Sequence, residues 1–225
     1  MSIAVRPAHA QVGITVVEMM LLPEFCQSAI AGSSYAASLP FEYRSRKGVA
    51  SPQGGDGATG VGIPGGHHFC MGRVYMNRAG RGGKADAYAA AIPEFMYSYR
   101  LLELDSPSYS HVSSYLGKAL YRSGKRNDGM KVWAEAISVQ PQGRESYLAM
   151  AEALLSERRP QDALEVLKKF DQVKDVEYAD AEHFMAQAYF ELKRYDEAKL
   201  HLDKAYSLGY PFFGLRDKLK RLGKY

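Results

Sequence analysis

The chain has little of what catalytic, membrane-spanning or nucleic-acid-binding proteins usually display. Its 225 residues include only two cysteines, Cys26 and Cys70, and a single tryptophan. There is no Cys-x-x-Cys pair and no Cys-x-x-Cys-His sequence, which removes the paired-cysteine metal motifs and covalent haem attachment. The longest apolar run, Ile14–Leu22, is broken by Glu18 and stopped by Pro23, too short to span a bilayer. Basic residues form no dense block: the longest cluster is the dispersed stretch Arg216–Lys224, and the formal net charge is only +4. Nucleic acid is therefore not an expected partner. No Ser/His/Asp arrangement stands out, and Glu135, Glu152, Glu165 and Asp196 fall at ordinary solvent-facing helical positions. An enzyme is not expected, and neither is a cofactor.

What is present is ordinary globular composition, 46% hydrophobic and 24% charged, which argues against global disorder. Internal repetition sets in after Pro107. The segment Ser110–Gly143 carries Leu116-Gly117 in its first half, Gly129, Trp133 and Ala136 in its second, and closes near Pro141. A second unit from Arg144 places Met150-Ala151, then Ala163 and Leu167, at the same offsets. A third from Ala179 places Met185-Ala186, then Ala198, Leu202 and Ala205, with Pro211 near its end. The starts are 34 and 35 residues apart, the extra residue falling in Asp171–Val176.

This period, with small residues at matched positions, resembles tetratricopeptide repeats, each a pair of antiparallel helices A and B. Gly117, Ala151 and Ala186 are small where helix A meets helix B, and Ala163 and Ala198 do the same from helix B. Large residues such as Trp133, Leu167 and Leu202 then fill the space between repeats. Breaks at Ser123-Gly124-Lys125 and Glu157–Pro160 agree with the period. The expected fold is all-α, a tetratricopeptide-type α-solenoid with three regular repeats. Before them stands one degenerate repeat, with helix A over His68–Tyr75 and helix B over Glu94–Leu104. A long Gly- and Ala-rich connection from Ala79 joins the two. After the repeats, Phe212–Leu222 reads as a capping helix that covers the last apolar face.

The chain thus divides into 1–10, a leader-like remnant; 11–66, a helix and Gly-rich loop extension; 67–107, the degenerate repeat; and 108–225, the array with its cap. Ala8-His9-Ala10 is a small-x-small sequence like a signal-peptidase site, although only a short apolar stretch and no basic start precede it. Ser45–Gly66 holds eight glycines and two prolines in 22 residues and reads as a loop. Within it, Gly55-Asp56-Gly57-Ala58-Thr59-Gly60 satisfies G-x-G-x-x-G literally, but no strand precedes it and no helix follows. Gly13–Met20 mimics the start of a type IV prepilin. A pilin needs a long uninterrupted helix, so these residues are read instead as a first packing helix.

Leu21-Leu22-Pro23-Glu24-Phe25-Cys26, His67-His68-Phe69-Cys70-Met71-Gly72 and Asn77-Arg78-Ala79 resemble the motifs of a family of exported proteobacterial tetratricopeptide proteins. Its members share a leader, an LPPYC-like motif, a HHYCWGL-like motif and C-terminal repeats. The resemblance covers nearly everything after Gln11. It departs at Ser51–Gly66, which is Gly-rich where the family is more aromatic, and at Met71, where the family has Trp. It implies the repeat architecture and export to the periplasm rather than an activity.

Two cysteines in an exported protein suggest a Cys26–Cys70 disulfide; in the cytosol the same pair would be two buried thiols. His67, His68 and Cys70 could instead ligate zinc, copper or haem iron. Adjacent histidines on a helix diverge by about 100°, so a structural role is the first expectation and no metal is assigned. A concave, partner-binding face is expected from helix A residues at fixed offsets from the small residue. They are Phe69, Arg73 and Met76, then His111, Ser114, Lys118 and Tyr121, then Glu145, Leu148, Glu152 and Leu155, then Asp180, His183, Gln187 and Phe190. This mixture suits an extended peptide or a helix of a protein partner. It lacks the Lys/Asn/Arg set of a carboxylate clamp. The leading expectation is a non-catalytic binding scaffold of the cell envelope. Metal or haem handling through the His67/His68/Cys70 cluster and a cytosolic or pilus-related assembly factor are the alternatives.

Overall fold

The computed structural model describes residues 13–44, 62–82 and 85–225. The leader-like Ala8-His9-Ala10 and the Gly55–Gly60 sequence lie outside them. Among the described residues there are twelve α-helices, one 3-10 helix over Ser34–Ser38, and no β-strand. The chain forms two compact units, Met1–Leu102 and Glu103–Tyr225.

The second unit is built from three helix pairs and a closing helix. The pairs are α6 (Tyr109–Arg122) with α7 (Arg126–Val139), α8 (Arg144–Ser156) with α9 (Pro160–Val173), and α10 (Ala179–Glu191) with α11 (Tyr195–Ser207); α12 (Gly214–Arg221) follows. Helix α8 packs on α6 and α10 as well as on α7 and α9, so the A helices stand side by side and α12 covers α11. This is an α-solenoid of the tetratricopeptide type.

Helix A meets helix B through one small and one large side chain at fixed positions. A Cβ added to Gly117 would lie 2.2 Å from Trp133 Nε1, closer than atoms can approach. The same two positions hold Ala151 with Leu167 and Ala186 with Leu202, all buried. The pair thus trades volume: glycine accepts an indole, alanine accepts an isobutyl group. Trp133 Nε1 also donates to the Ser114 carbonyl at 3.2 Å, so burying the indole leaves no donor unmet.

The A-to-B turn repeats as well. Lys125, Arg159 and Arg194 donate their N–H groups to the carbonyls of Leu120, Leu154 and Tyr189 across left-handed residues. Those residues are Gly124, Arg158 and Lys193, with φ of 98°, 60° and 60°. Glycine adopts that conformation without Cβ strain, whereas the other two repeats hold a long side chain in it.

The first unit contains α1 (Val16–Met20), α2 (Glu24–Ala31), α3 (Phe41–Arg44), α4 (Gly66–Gly80) and α5 (Ala85–Leu101). Helices α4 and α5 form a further pair in which Gly72 admits the Phe95 ring. The expected helix B over Glu94–Leu104 is corrected: α5 begins nine residues earlier, at Ala85, and carries Pro93 inside it. Ala87 and Ala89–Ala91 have the highest helix propensity of any residue type, and Pro93 removes one N–H without ending the helix. The long connection after Ala79 is therefore mostly helix. Helix α2 lies against α4, where Cys26 and Cys70, both buried, are disulfide-bonded across 44 residues. On the chain-entropy model such a loop closure stabilises by about 4 kcal/mol.

The volume trade can be measured. Gly117→Ala is expected to lower the urea-unfolding free energy by about 1–3 kcal/mol through overpacking. Adding Trp133→Leu, which installs the pair found in the other two repeats, should return part of that loss. Gly214, whose Cβ would meet nothing, tolerates alanine. Additivity of the two substitutions would refute the trade.

Candidate functional site

On the A-helix side of the second unit, Lys118 and Glu152 stand at equivalent positions one repeat apart, and their charged atoms lie 2.7 Å apart. Arg122 reaches the other Glu152 oxygen at 3.4 Å. Gln187, the next equivalent, donates to Glu191 at 3.4 Å. Above and below them Ser114 donates to the His111 carbonyl, and the His111 ring lies 5.3 Å from that of Tyr115. Glu145 and Asp180 flank Arg144 at 3.5 and 3.9 Å, and its guanidinium sits 4.6 Å from the centre of the Tyr178 ring. His183 stacks on Tyr210 at 4.1 Å, and burial holds its imidazole below the usual histidine range. Leu148 and Phe190 are half-buried against the core. These ten expected positions form a half-exposed face along α6, α8 and α10.

Five expected positions do not belong to it: three are buried, and Arg73 and Met76 lie in the first unit. Phe69 is 0% exposed and packs on Phe95 at 5.5 Å. Tyr121 is buried against Trp133 at 5.7 Å, with its hydroxyl donating to the Ala153 carbonyl at 3.4 Å. Both are core residues, each turned toward a ring of its partner helix rather than toward solvent. Leu155 is likewise buried. Arg73, with Phe69 and Met76, belongs to the first unit and is half-buried.

In the first unit His68 Nδ1 lies 2.7 Å from Glu94 Oε2. An ionised carboxylate only accepts, so this ring nitrogen carries the proton. Tyr35 donates to Glu94 Oε1 at 3.1 Å, and burial, then the Glu94 charge, raises its phenol well above the usual range. His67, although adjacent in sequence, brings its ring within 4.4 Å of His68; burial and then the His68 charge lower its pKa. Tyr97 covers His68 at 3.9 Å. The disulfide occupies the Cys70 sulfur, so the His67/His68/Cys70 metal or haem site lacks its thiolate. Tyr35 and Glu94 were not anticipated. The available signal was a lone charge at Glu94 in the otherwise uncharged stretch 87–99.

Helix α1 turns its one charge inward. Thr15 and Glu18 form a capping box, and Arg78 of α4 binds both Glu18 oxygens and the Gly13 carbonyl. The Arg78 hydrogen bond, against burial, holds the Glu18 carboxyl down at about 2. Motif residues Leu22, Cys26, Phe69, Cys70, Met71 and Gly72 are all buried.

A third buried charge centre lies between repeats two and three of the array. Glu182, 1% exposed, meets His201 Nδ1 at 2.7 Å, Lys204 at 2.9 Å and Lys174 at 3.5 Å. Burial pushes its carboxyl up, but the bonds from His201 and Lys204 outweigh that and hold it below 4.5. Carboxylates of Asp171, Glu177 and Glu182 approach within 4.8 Å of one another, a spacing that a metal ion could bridge. The Lys174 ammonium contacts all three and supplies the positive charge there.

Buried small residues, paired antiparallel helices and a half-exposed A-helix face define a tetratricopeptide-type repeat protein, and repeats of this type generally mediate protein–protein interaction. Residues 130–205 match a family model described as anaphase-promoting complex, cyclosome, subunit 3, a stretch running from α7 into α11. Among solved structures the chain is similar to one described as "MamA RS-1 ArsTM double mutant", at 17% identity and a TM-score of 0.48, covering 69% of this chain and 83% of that one. Among curated proteins none matches.

Because Glu182 is held below 4.5, its contribution to folding is complete above that value and is lost as pH falls beneath it. Glu182→Gln should cost about 1–3 kcal/mol at pH 7, with the deficit shrinking between pH 5 and pH 3. Urea unfolding at both pH values checks this; a deficit independent of pH would remove the carboxylate from the explanation.

Proposed function

We propose that the protein is a non-catalytic scaffold that binds an extended peptide or helix of a protein partner along the A-helix face of its second unit. The supporting observation is the ladder Lys118, Glu152 and Gln187, repeated at one helix-pair spacing and held by neighbouring side chains. Stacked helices keep such groups oriented before binding, so little side-chain entropy is lost on association. Leu148, Phe190 and the Tyr178 and Tyr210 rings add apolar surface beside the polar ladder.

Export to the periplasm is part of the same proposal. Its support is the pairing of both cysteines together with the resemblance of the motifs around them to those of an exported proteobacterial family. An oxidising compartment preserves such a bond, whereas cytosolic thiols are kept reduced.

Envelope extract passed over immobilised wild-type protein should yield a partner that a Lys118→Ala/Glu152→Ala/Gln187→Ala variant recovers at least about tenfold less well. Tyr121 is left intact because it is core. Equal recovery by the two proteins would refute the assignment of the face. Alkylating intact cells before lysis should find no free thiol on this chain. Two modified cysteines per chain would place the protein in a reducing compartment.

A further inference from the structure

Residues 214–225 carry Arg216, Lys218, Lys220, Arg221 and Lys224 against one acid, Asp217. Five minus one gives +4, equal to the net charge of the whole chain, 29 minus 25. The other residues therefore balance, and the excess charge is concentrated on and just after α12. That helix buries Leu215 and Leu219 on one stripe and leaves Lys218, Lys220 and Arg221 exposed.

Large apolar side chains just before and just after the same helix are also exposed. Phe212 is 68% exposed, Phe213 47% and Leu222 51%. The Arg216 guanidinium lies 4.2 Å from the centre of the Phe213 ring and 5.5 Å from that of Tyr206. Lys199 and Lys220 stand 5.3 and 5.7 Å from the Tyr225 ring. Acidic groups next to this face are few: Asp217 is 4.0 Å from Arg216, and Asp203 accepts from the Tyr225 hydroxyl.

We propose that this face docks peripherally on an anionic phospholipid bilayer. The cations meet the headgroups, while Phe212, Phe213 and Leu222 enter the interface. A purely electrostatic ligand, such as an acidic peptide, has no use for three exposed apolar side chains next to the charges. The buried stripe of α12 is committed to the repeats, so it cannot turn over and insert. Attachment is therefore shallow, reversible and screened by salt.

Co-sedimentation of the full chain with vesicles tests this, using phosphatidylcholine alone and phosphatidylcholine with phosphatidylglycerol. Binding is expected only to the anionic vesicles, and it should fall as sodium chloride is raised. A Lys218→Glu/Lys220→Glu/Arg221→Glu variant should bind at least about 100-fold more weakly, at roughly fivefold per cation lost. Phe212→Ser should weaken vesicle binding about tenfold while leaving binding to poly-glutamate unchanged. Thermal unfolding by circular dichroism confirms that each variant is folded, the altered side chains being exposed. Equal binding to both vesicle types, or full binding by the charge-reversed variant, overturns the proposal. So does an unchanged Phe212→Ser, which would leave an acidic polymer as the ligand.

Discussion

The second unit depends on how closely helix A can approach helix B. At Gly117 the approach is so tight that no Cβ fits beside the Trp133 ring, and in the next two pairs alanine and leucine replace glycine and tryptophan. Once each pair is closed in this way, its outward surfaces are fixed. One side of every A helix then packs on the next A helix, and the remaining strip is left half-exposed at a constant spacing. The ladder of Lys118, Glu152 and Gln187 is a consequence of that closure, since all three positions ride on the same helical register.

Buried charges serve where the repeat cannot. The third repeat begins one residue late, and the extra length lies in the connection holding Lys174. That lysine is folded inward among Asp171, Glu177 and Glu182, so the irregular connection is anchored by charge rather than by apolar packing. In the first unit, Glu18 with Arg78 and Glu94 with Tyr35 and His68 tie the segment before α4 to the α4–α5 pair. The disulfide fastens the same segment. Removing one member of any of these groups would strand its partners away from water, which makes them costly to change although they contribute little as isolated pairs.

The surfaces left over differ in character. The A-helix face mixes both signs of charge with half-buried aromatics, and most of its charges are already partnered within the protein. A ligand there must replace existing bonds, which favours one that matches them in geometry. The face around α12 carries one sign of charge and exposed rings, a combination that selects by charge and apolarity more than by shape.

Much of the array was legible in the sequence. The period of 34 and 35 residues, the small residues at Gly117, Ala151 and Ala186, and the breaks near Gly124 and Pro160 are local or periodic signals, and helix formation responds to both. The Ala-rich start of α5 was not legible as helix because the glycines just before it mark a turn, whereas in the fold alanine propensity prevails from Ala85 onward. The candidate face was legible only in part. Helical offset alone could not separate Tyr121 and Phe69, which pack against Trp133 and Phe95, from Lys118 and Gln187, which remain half-exposed. Nor could it bring Tyr35 and Glu94, 59 residues apart, onto His68, or set Glu182 against Lys174 and Lys204. Such contacts depend on which helices are neighbours in space, and that is decided by packing between elements, not by spacing along the chain.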